Sequence, residues 1–310
     1  MQIISGKRIK PVSLLIYGIH GIGKSTLPTE AEKPIYIGSE ENDELDIDRL
    51  PKIINWKDLE NQLNWLCEEN RGYKTLVIDT IDGLEQIAQK EILSTQSGKT
   101  MATAFGGYGK AYEKMHDMFL FIRDNYLVEL RDNYKMNIVV LAHAEKSKHE
   151  DPITATSFDC YSTAIHKKVK PIFEDWVSAI LFATWQLYKT ESNDGKERAI
   201  GDGTRIIYTE ERPSHIAKNR FGLPFEIEFN KSGTWSEIMA HIKQFYKGAK
   251  EFEGRKVKPE TSEKLQAIRE LLNKVADESM QEKIQLSLER ANGDEKELER
   301  INKKLQKLVG

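Results

Sequence analysis

Eight residues, Gly18-Ile19-His20-Gly21-Ile22-Gly23-Lys24-Ser25, constrain this chain more than any others. They fit the pattern G-x-x-x-x-G-K-S in full. An apolar run, Val12 to Tyr17, leads into them and reads as a buried parallel strand. A strand entering such a loop predicts main-chain N–H groups aimed at phosphates, with glycines permitting the tight turn and close approach. Lys24 is expected to reach the β- and γ-phosphates, and Ser25 to place its hydroxyl on Mg²⁺. Gly18, Ile19, His20, Gly21, Ile22, Gly23, Lys24, Ser25 and Thr26 are therefore the expected nucleotide-binding stretch. A helix should follow, and Pro28 with the short run to Lys33 predicts that it is brief.

Other polar residues at strand ends complete the expected site. Asp79 closes the apolar run Leu76-Val77-Ile78 and is the candidate for holding the Mg²⁺ shell, largely through water. Glu40 follows the strand pattern Pro34 to Gly38, at a carboxyl end where an acid can orient or deprotonate the attacking water. Glu41 is the alternative. His143 ends the run Asn137 to Ala142, where a polar side chain can contact the γ-phosphate and relay its presence.

Strand patterns at Pro34–Gly38, Lys52–Asn55, Lys74–Asp79 and Met136–Ala142 alternate with helical spacing at Trp56–Cys67, Ile81–Leu93 and Tyr112–Tyr134. That alternation predicts an α/β fold with a mainly parallel sheet flanked by helices. Gly98 to Gly109 reads as a polar loop, and Ala144 to Ala164 as a long, irregular one. Trp176 to Tyr188 reads as a strand returning through Arg205 to Thr209, with a turn at Ser192 to Gly195, and Trp235 to Tyr246 as a helix. The character changes after Lys247. We expect a core over 1–248, a linker over 249–260 and a charged amphipathic helical extension over 261–310. Its apolar stripes run Leu265 to Val275, Ile284 to Leu288, and Leu298-Ile301-Leu305-Leu308. The extension is either a solvated tail or a docking element.

No apolar run is long enough to span a membrane, no signal-peptide pattern opens the chain, and the two cysteines have no zinc spacing. A cytoplasmic protein is expected. A net charge of -3 argues against a globally basic nucleic-acid binder, so any such contact must come from local loops.

These motifs, with Ile37-Gly38-Ser39-Glu40, Leu76–Thr80, Val139–His143 and Ile216 to Gly222, resemble RecA-like P-loop ATPases over roughly Val12 to Phe229. The resemblance is strongest to the phage-type AAA ATP-binding proteins linked to single-strand DNA recombination or annealing. It implies ATP and Mg²⁺ as cofactors, and Lys24, Glu40, Asp79 and His143 as the working residues. It puts the second core strand beside the one entering the phosphate loop, with a catalytic glutamate after it, which supports Glu40. The polar residue closing the fourth core strand is usually glutamine; here it is His143. Two loops would bind single-stranded DNA: the first with Lys99, Phe105, Tyr108 and Lys110, the second with Lys146 and Lys148, followed by Lys167 and Lys168. Lys218 and Arg220 resemble a basic pair that reaches a neighbouring subunit's ATP, which implies a homo-oligomeric ring or filament. A single-strand-binding or other recombination protein is the partner expected for the C-terminal helices, and the cytoplasm of a bacterial host the expected place for a phage-encoded chain. A nucleotide-switched binding protein with little turnover, and a helicase-type ring motor, are the other functions such a chain could serve.

Overall fold

Runs too apolar to face water on either side become the middle of a sheet. Ser13–Gly18 is such a run, with all six residues buried. The computed structural model describes residues 5–68, 71–151, 156–191, 197–251 and 295–309, with residues 268, 271, 284 and 287 between the last two spans. The chain forms two compact units, Met1–Phe252 and Glu253–Gly310.

In chain order the first unit carries strands β1 (Arg8–Ile9), β2 (Ser13–Gly18), β3 (Pro34–Ile37) and β4 (Asp48–Arg49). Helix α1 (Trp56–Glu68), strand β5 (Thr75–Ile78) and helices α2 (Ile81–Ser94), α3 (Lys110–Ile122) and α4 (Val128–Asp132) come next. Strands β6 (Asn137–Asp151) and β7 (Thr156–Thr163), helix α5 (Lys170–Glu174) and strand β8 (Ala179–Trp185) follow. The unit ends with β9 (Tyr188–Glu191), β10 (Glu197–Ile200), β11 (Arg205–Tyr208), β12 (Lys218–Asn219), β13 (Glu226–Glu228), helix α6 (Thr234–Phe245) and β14 (Lys250–Glu251).

The main sheet runs β13-β11-β8-β2-β6-β5-β3-β4, with β12 on β8 and β7 on β6. Every pairing from β8 to β4 is parallel, and β11, β12, β13 and β7 add antiparallel edges. This is the α/β architecture expected, with one correction to its order. The second core strand, β3, does not lie beside β2; β6 and β5 stand between them. The spacing of apolar runs carries strand identity but no information on lateral order, which is fixed by how the crossovers pack.

Alternate residues of each strand face opposite helical layers. Leu15, Tyr17, Ile35, Ile37, Leu76, Ile78, Ile138 and Val140 pack against the apolar faces of α1, α2, α3, α4 and α5. Leu14, Ile16, Val77, Val139 and Leu181 face the other way, against Trp235, Ile238 and Ile242 of α6. Each fully buried aliphatic side chain contributes about 1.5–3 kcal/mol, so both layers hold the central strands.

Several elements differ from the sequence expectation. The brief helix after the phosphate loop is a single 3-10 turn, Leu27–Glu30, with Pro28 in its first positions. Lys52–Asn55 is not a strand; Ile53 is a buried residue of a connecting segment, and the short strand is β4 instead. The long helix is interrupted by a π-turn, Arg123–Leu127, between α3 and α4. That turn keeps Phe119, Ile122, Tyr126, Leu127 and Leu130 all in the core. The strand read over Trp176–Tyr188 begins at Ala179, because α5 and the turn after it occupy the preceding residues. The returning strand β11 does pair with β8, but β9 and β10 form a small hairpin between them, and residues 192–196 lie outside the description.

The largest difference is Ala144–Ala164, expected as an irregular loop. β6 runs on past the sheet and folds back through β7, pairing from Ala144↔Thr163 to Asp151↔Thr156. Its outer residues are solvated on both faces, so no alternation marks them as strand.

In the second unit, helix α7 (Glu295–Val309) carries buried Leu298, Ile301 and Leu305 on one stripe. The stripes expected over Leu265–Val275 and Ile284–Leu288 fall largely outside the described residues. Among the described residues, no helix is long and apolar enough to cross a membrane.

Candidate nucleotide site and basic surfaces

The parallel strands bring their carboxyl ends to one rim. Gly18 stands level with His143 across the β2–β6 pair, and Ile37 level with Ile78 across β3–β5. The loop that leaves Gly18 turns tightly, with Gly21 at φ 72° and Gly23 at φ 106°, conformations that favour glycine. Lys24 is 6% exposed and donates to the carbonyls of Gly18 at 3.0 Å and Ile19 at 2.9 Å. Burial pushes the ammonium pKa down, against the pull of Asp79, Asp82 and Glu40.

Asp79 follows β5 and is 1% exposed. Its Oδ2 accepts a hydrogen bond from Asn42 Nδ2 at 3.1 Å, and its Oδ1 is buried without a hydrogen-bond partner among the described residues. Burial raises its pKa, while the Ser25 hydroxyl, the Asn42 amide and Lys24 act in the opposite sense. A buried, unmatched carboxylate oxygen beside a hydroxyl is a poor arrangement for the protein alone. It suits a hard divalent cation held by one carboxylate, one hydroxyl, water and phosphate. No group of three or more His, Cys, Asp or Glu able to hold a metal exists among the described residues.

Glu40 is exposed, and its N–H donates to the Asp79 carbonyl at 3.2 Å. Its charge acts on both Lys24 and Asp79. Glu41, by contrast, pairs with Lys52 at 2.9 Å on the surface. The His143 ring stacks on that of His20, with centroids 4.0 Å apart. Its Nδ1 lies 2.8 Å from Asp82 Oδ2, and its main-chain N–H donates to Asp82 Oδ1 at 2.9 Å. Burial alone would push the Asp82 pKa up, but these bonds and the His143 charge hold it below the ordinary value.

Beside Thr26, past the phosphate loop, lies a cavity of about 280 Å³ lined by Thr26, Leu27, Glu30, Arg205, Phe229, Asn230 and neighbours. Arg205 spans the Phe229 ring and donates to the Ile22 carbonyl at 3.0 Å. Three residues of this site went unmarked in the sequence. Asn42 and Asp82 sit near recognised acids without a motif of their own, and Arg205 opens a distant strand with no local signal.

A family model described as an AAA domain matches residues 10–221, more than half of the chain. The chain belongs to that family. Its AAA domain makes it a nucleotide-binding protein of the P-loop ATPase class. Among curated proteins none matches the chain. Among solved structures, a KaiC-like protein from the hyperthermophilic archaeon Pyrococcus horikoshii OT3 is similar over 73% of this chain and 92% of its own, with 13% identity and a TM-score of 0.32.

The remaining candidate residues of the AAA domain lie on the glycine loop, the β6–β7 hairpin and the segments after it. Lys99, Tyr108 and Lys110 are exposed around the glycine loop, and Tyr108 is 101% exposed at φ 53°. Phe105 is half-buried, with Lys114 Nζ 4.7 Å from its ring centroid, so its face is not open. On the hairpin, Lys148 is exposed, while Lys146 pairs with Asp159 at 2.7 Å. Lys167 is exposed, and Lys168 pairs with Glu113 at 2.5 Å. Tyr112 stacks on His166 with centroids 4.3 Å apart, so the start of α3 and the segment after the hairpin meet.

Lys218 and Arg220 are not at the chain's own phosphate loop. Lys218 pairs with Ile180 on β8, whereas Gly18 stands level with Ala183. Three residues along a strand is about 10 Å, and β8 itself lies between β12 and β2. Lys218 Nζ donates to the carbonyls of Glu174 at 2.7 Å and Asp175 at 2.9 Å, and burial lowers its pKa. The Arg220 side chain is exposed.

Proposed function

We propose that this AAA domain binds Mg·ATP and hydrolyses it, acting on single-stranded DNA in phage recombination or replication, with each active site completed by a neighbouring subunit. The observation that carries the reading is the Asp79 carboxylate, buried with one oxygen unmatched next to Ser25 and facing Lys24. Mg²⁺, when bound there, would neutralise charge on the phosphates. Lys24 would exchange its bonds to Gly18 and Ile19 for the terminal phosphates. Glu40, exposed and within electrostatic reach of both Lys24 and Asp79, would orient the attacking water. The cavity beside Thr26 would take the nucleoside, with Arg205 bracing the loop at Ile22.

Exposed Tyr108 between glycines offers a face for a base, and Lys148 and Lys167 offer charge for phosphates. ATPase assays with and without single-stranded DNA test the whole reading. Stimulation is expected. Binding without turnover would mark a nucleotide-switched partner protein instead, and directional unwinding a motor.

A further inference from the structure

One carboxylate holds two systems together. Asp82, in the first turn of α2, takes the main-chain N–H of His143 at 2.9 Å and faces its ring Nδ1 at 2.8 Å. The ring it holds is stacked on His20 of the phosphate loop, at the level of Gly18. The carbonyl of the same His143 accepts the Ala164 N–H at 2.8 Å, beside the first rung of the β6–β7 hairpin. Asp82 is not needed as a cap, because the Thr80 side chain already accepts the N–H of Gly83 at 3.3 Å. A carboxylate only accepts, so Nδ1–H donates to it, and Nε2 can meet a phosphate oxygen only as a second N–H donor, on a ring protonated at both nitrogens.

We propose that Asp82 is a positioning residue that couples the bound nucleotide to the hairpin: it turns His143 Nε2 toward the terminal phosphate and fixes the backbone from which the hairpin springs. The proposal rests on the nucleotide reading above. Asp82 stays ionised despite its burial because His143 answers it. The other charges around it are Lys24 on the phosphate loop and Glu85 one turn along α2. A helix that merely wanted an acid in its first turn would leave that acid solvated. This one is 13% exposed and directed at a residue 61 positions away. Asp82 grips both the ring and the main-chain N–H of His143, so a displacement of the ring against a terminal phosphate is passed through that carboxylate to the backbone whose carbonyl carries the hairpin.

The test is Asp82→Asn, read by hydrogen exchange across residues 144–163 with and without Mg·AMP-PNP, by nucleotide affinity, and by the ¹⁵N shifts of His143. The variant should bind nucleotide within about threefold of wild type, yet lose about tenfold or more in kcat with KM unchanged. Its nucleotide-dependent change in hairpin exchange should vanish, and His143 should lose its fixed Nδ1–H form. Asp82→Glu should restore part of both. If the asparagine variant does not fold, His143→Gln keeps the main-chain bond to Asp82 and should still lose the exchange response. The proposal is overturned if hairpin exchange in the variant answers nucleotide as wild type does, or if wild-type exchange never answers it. A wild type that binds nucleotide and moves its hairpin but does not hydrolyse overturns only the ATPase reading.

Discussion

A single absent atom at position 38 decides where Asp79 can sit. A Cβ on Gly38 would stand 1.8 Å from the Asp79 carbonyl oxygen, and the residue's φ is 155°. Gly38→Ala should therefore cost more than about 2 kcal/mol in urea unfolding and weaken Mg·ATP binding together. Lys24→Ala should leave the fold intact and abolish turnover, measured by phosphate release with circular dichroism as control. Asp132 gives a pH test independent of the site. Burial would raise its pKa, but Arg131 at 2.7 Å and Lys10 at 3.5 Å more than offset this and hold it below the ordinary value. A lowered folded pKa stabilises the protein above the unfolded value near 3.9, and that contribution is lost as pH falls through the folded value. Asp132→Asn should cost about 1–3 kcal/mol at pH 7 and flatten the acid limb of a melting-temperature profile. Which of these residues the sequence disclosed follows from range. Lys24, Ser25 and Asp79 stand in local patterns. Asn42, Asp82 and Arg205 act across 37, 61 and 183 positions, and no local pattern records a contact made only by folding.

At the level of elements, apolar periodicity disclosed the central strands and the main helices, because each buries a regular face. It missed the hairpin for the opposite reason, since the outer half of β6 and the first half of β7 bury little, and the buried Cys160, Ser162 and Thr163 make no apolar alternation. It carries nothing on lateral strand order, and the family resemblance that puts β3 next to β2 is overturned, since that order depends on how the crossovers pack. The hairpin and the glycine loop can be tested as a binding surface. Lys148→Glu with Lys167→Glu should weaken single-stranded DNA binding and reduce its salt dependence by about one to two phosphate contacts, read by fluorescence anisotropy. Tyr108→Ala should cost about 1–3 kcal/mol of that affinity without altering the salt slope. An unchanged slope in the lysine variant would remove the hairpin from the DNA reading.

For the molecule as a whole, the placement of Lys218 and Arg220 is the decisive geometry. Arg220→Ala should keep nucleotide affinity and lose turnover. Mixed with Lys24→Ala, it should regain a fraction of wild-type activity, since one variant offers an intact phosphate loop and the other an intact arginine; two inactive proteins that stay inactive together would refute the shared site. If Arg220 completes a neighbour's site, a donor group and an acceptor pocket on different ends of the same strands would make a head-to-tail contact, and such contacts count differently in open and closed arrays. A ring of n chains completes n pockets. A row of n chains completes only n − 1, leaving one terminal chain loaded but idle and the other with an arginine that meets nothing. Specific activity per chain would then climb with row length and level off, so the stoichiometry of catalysis would itself report whether the array closes.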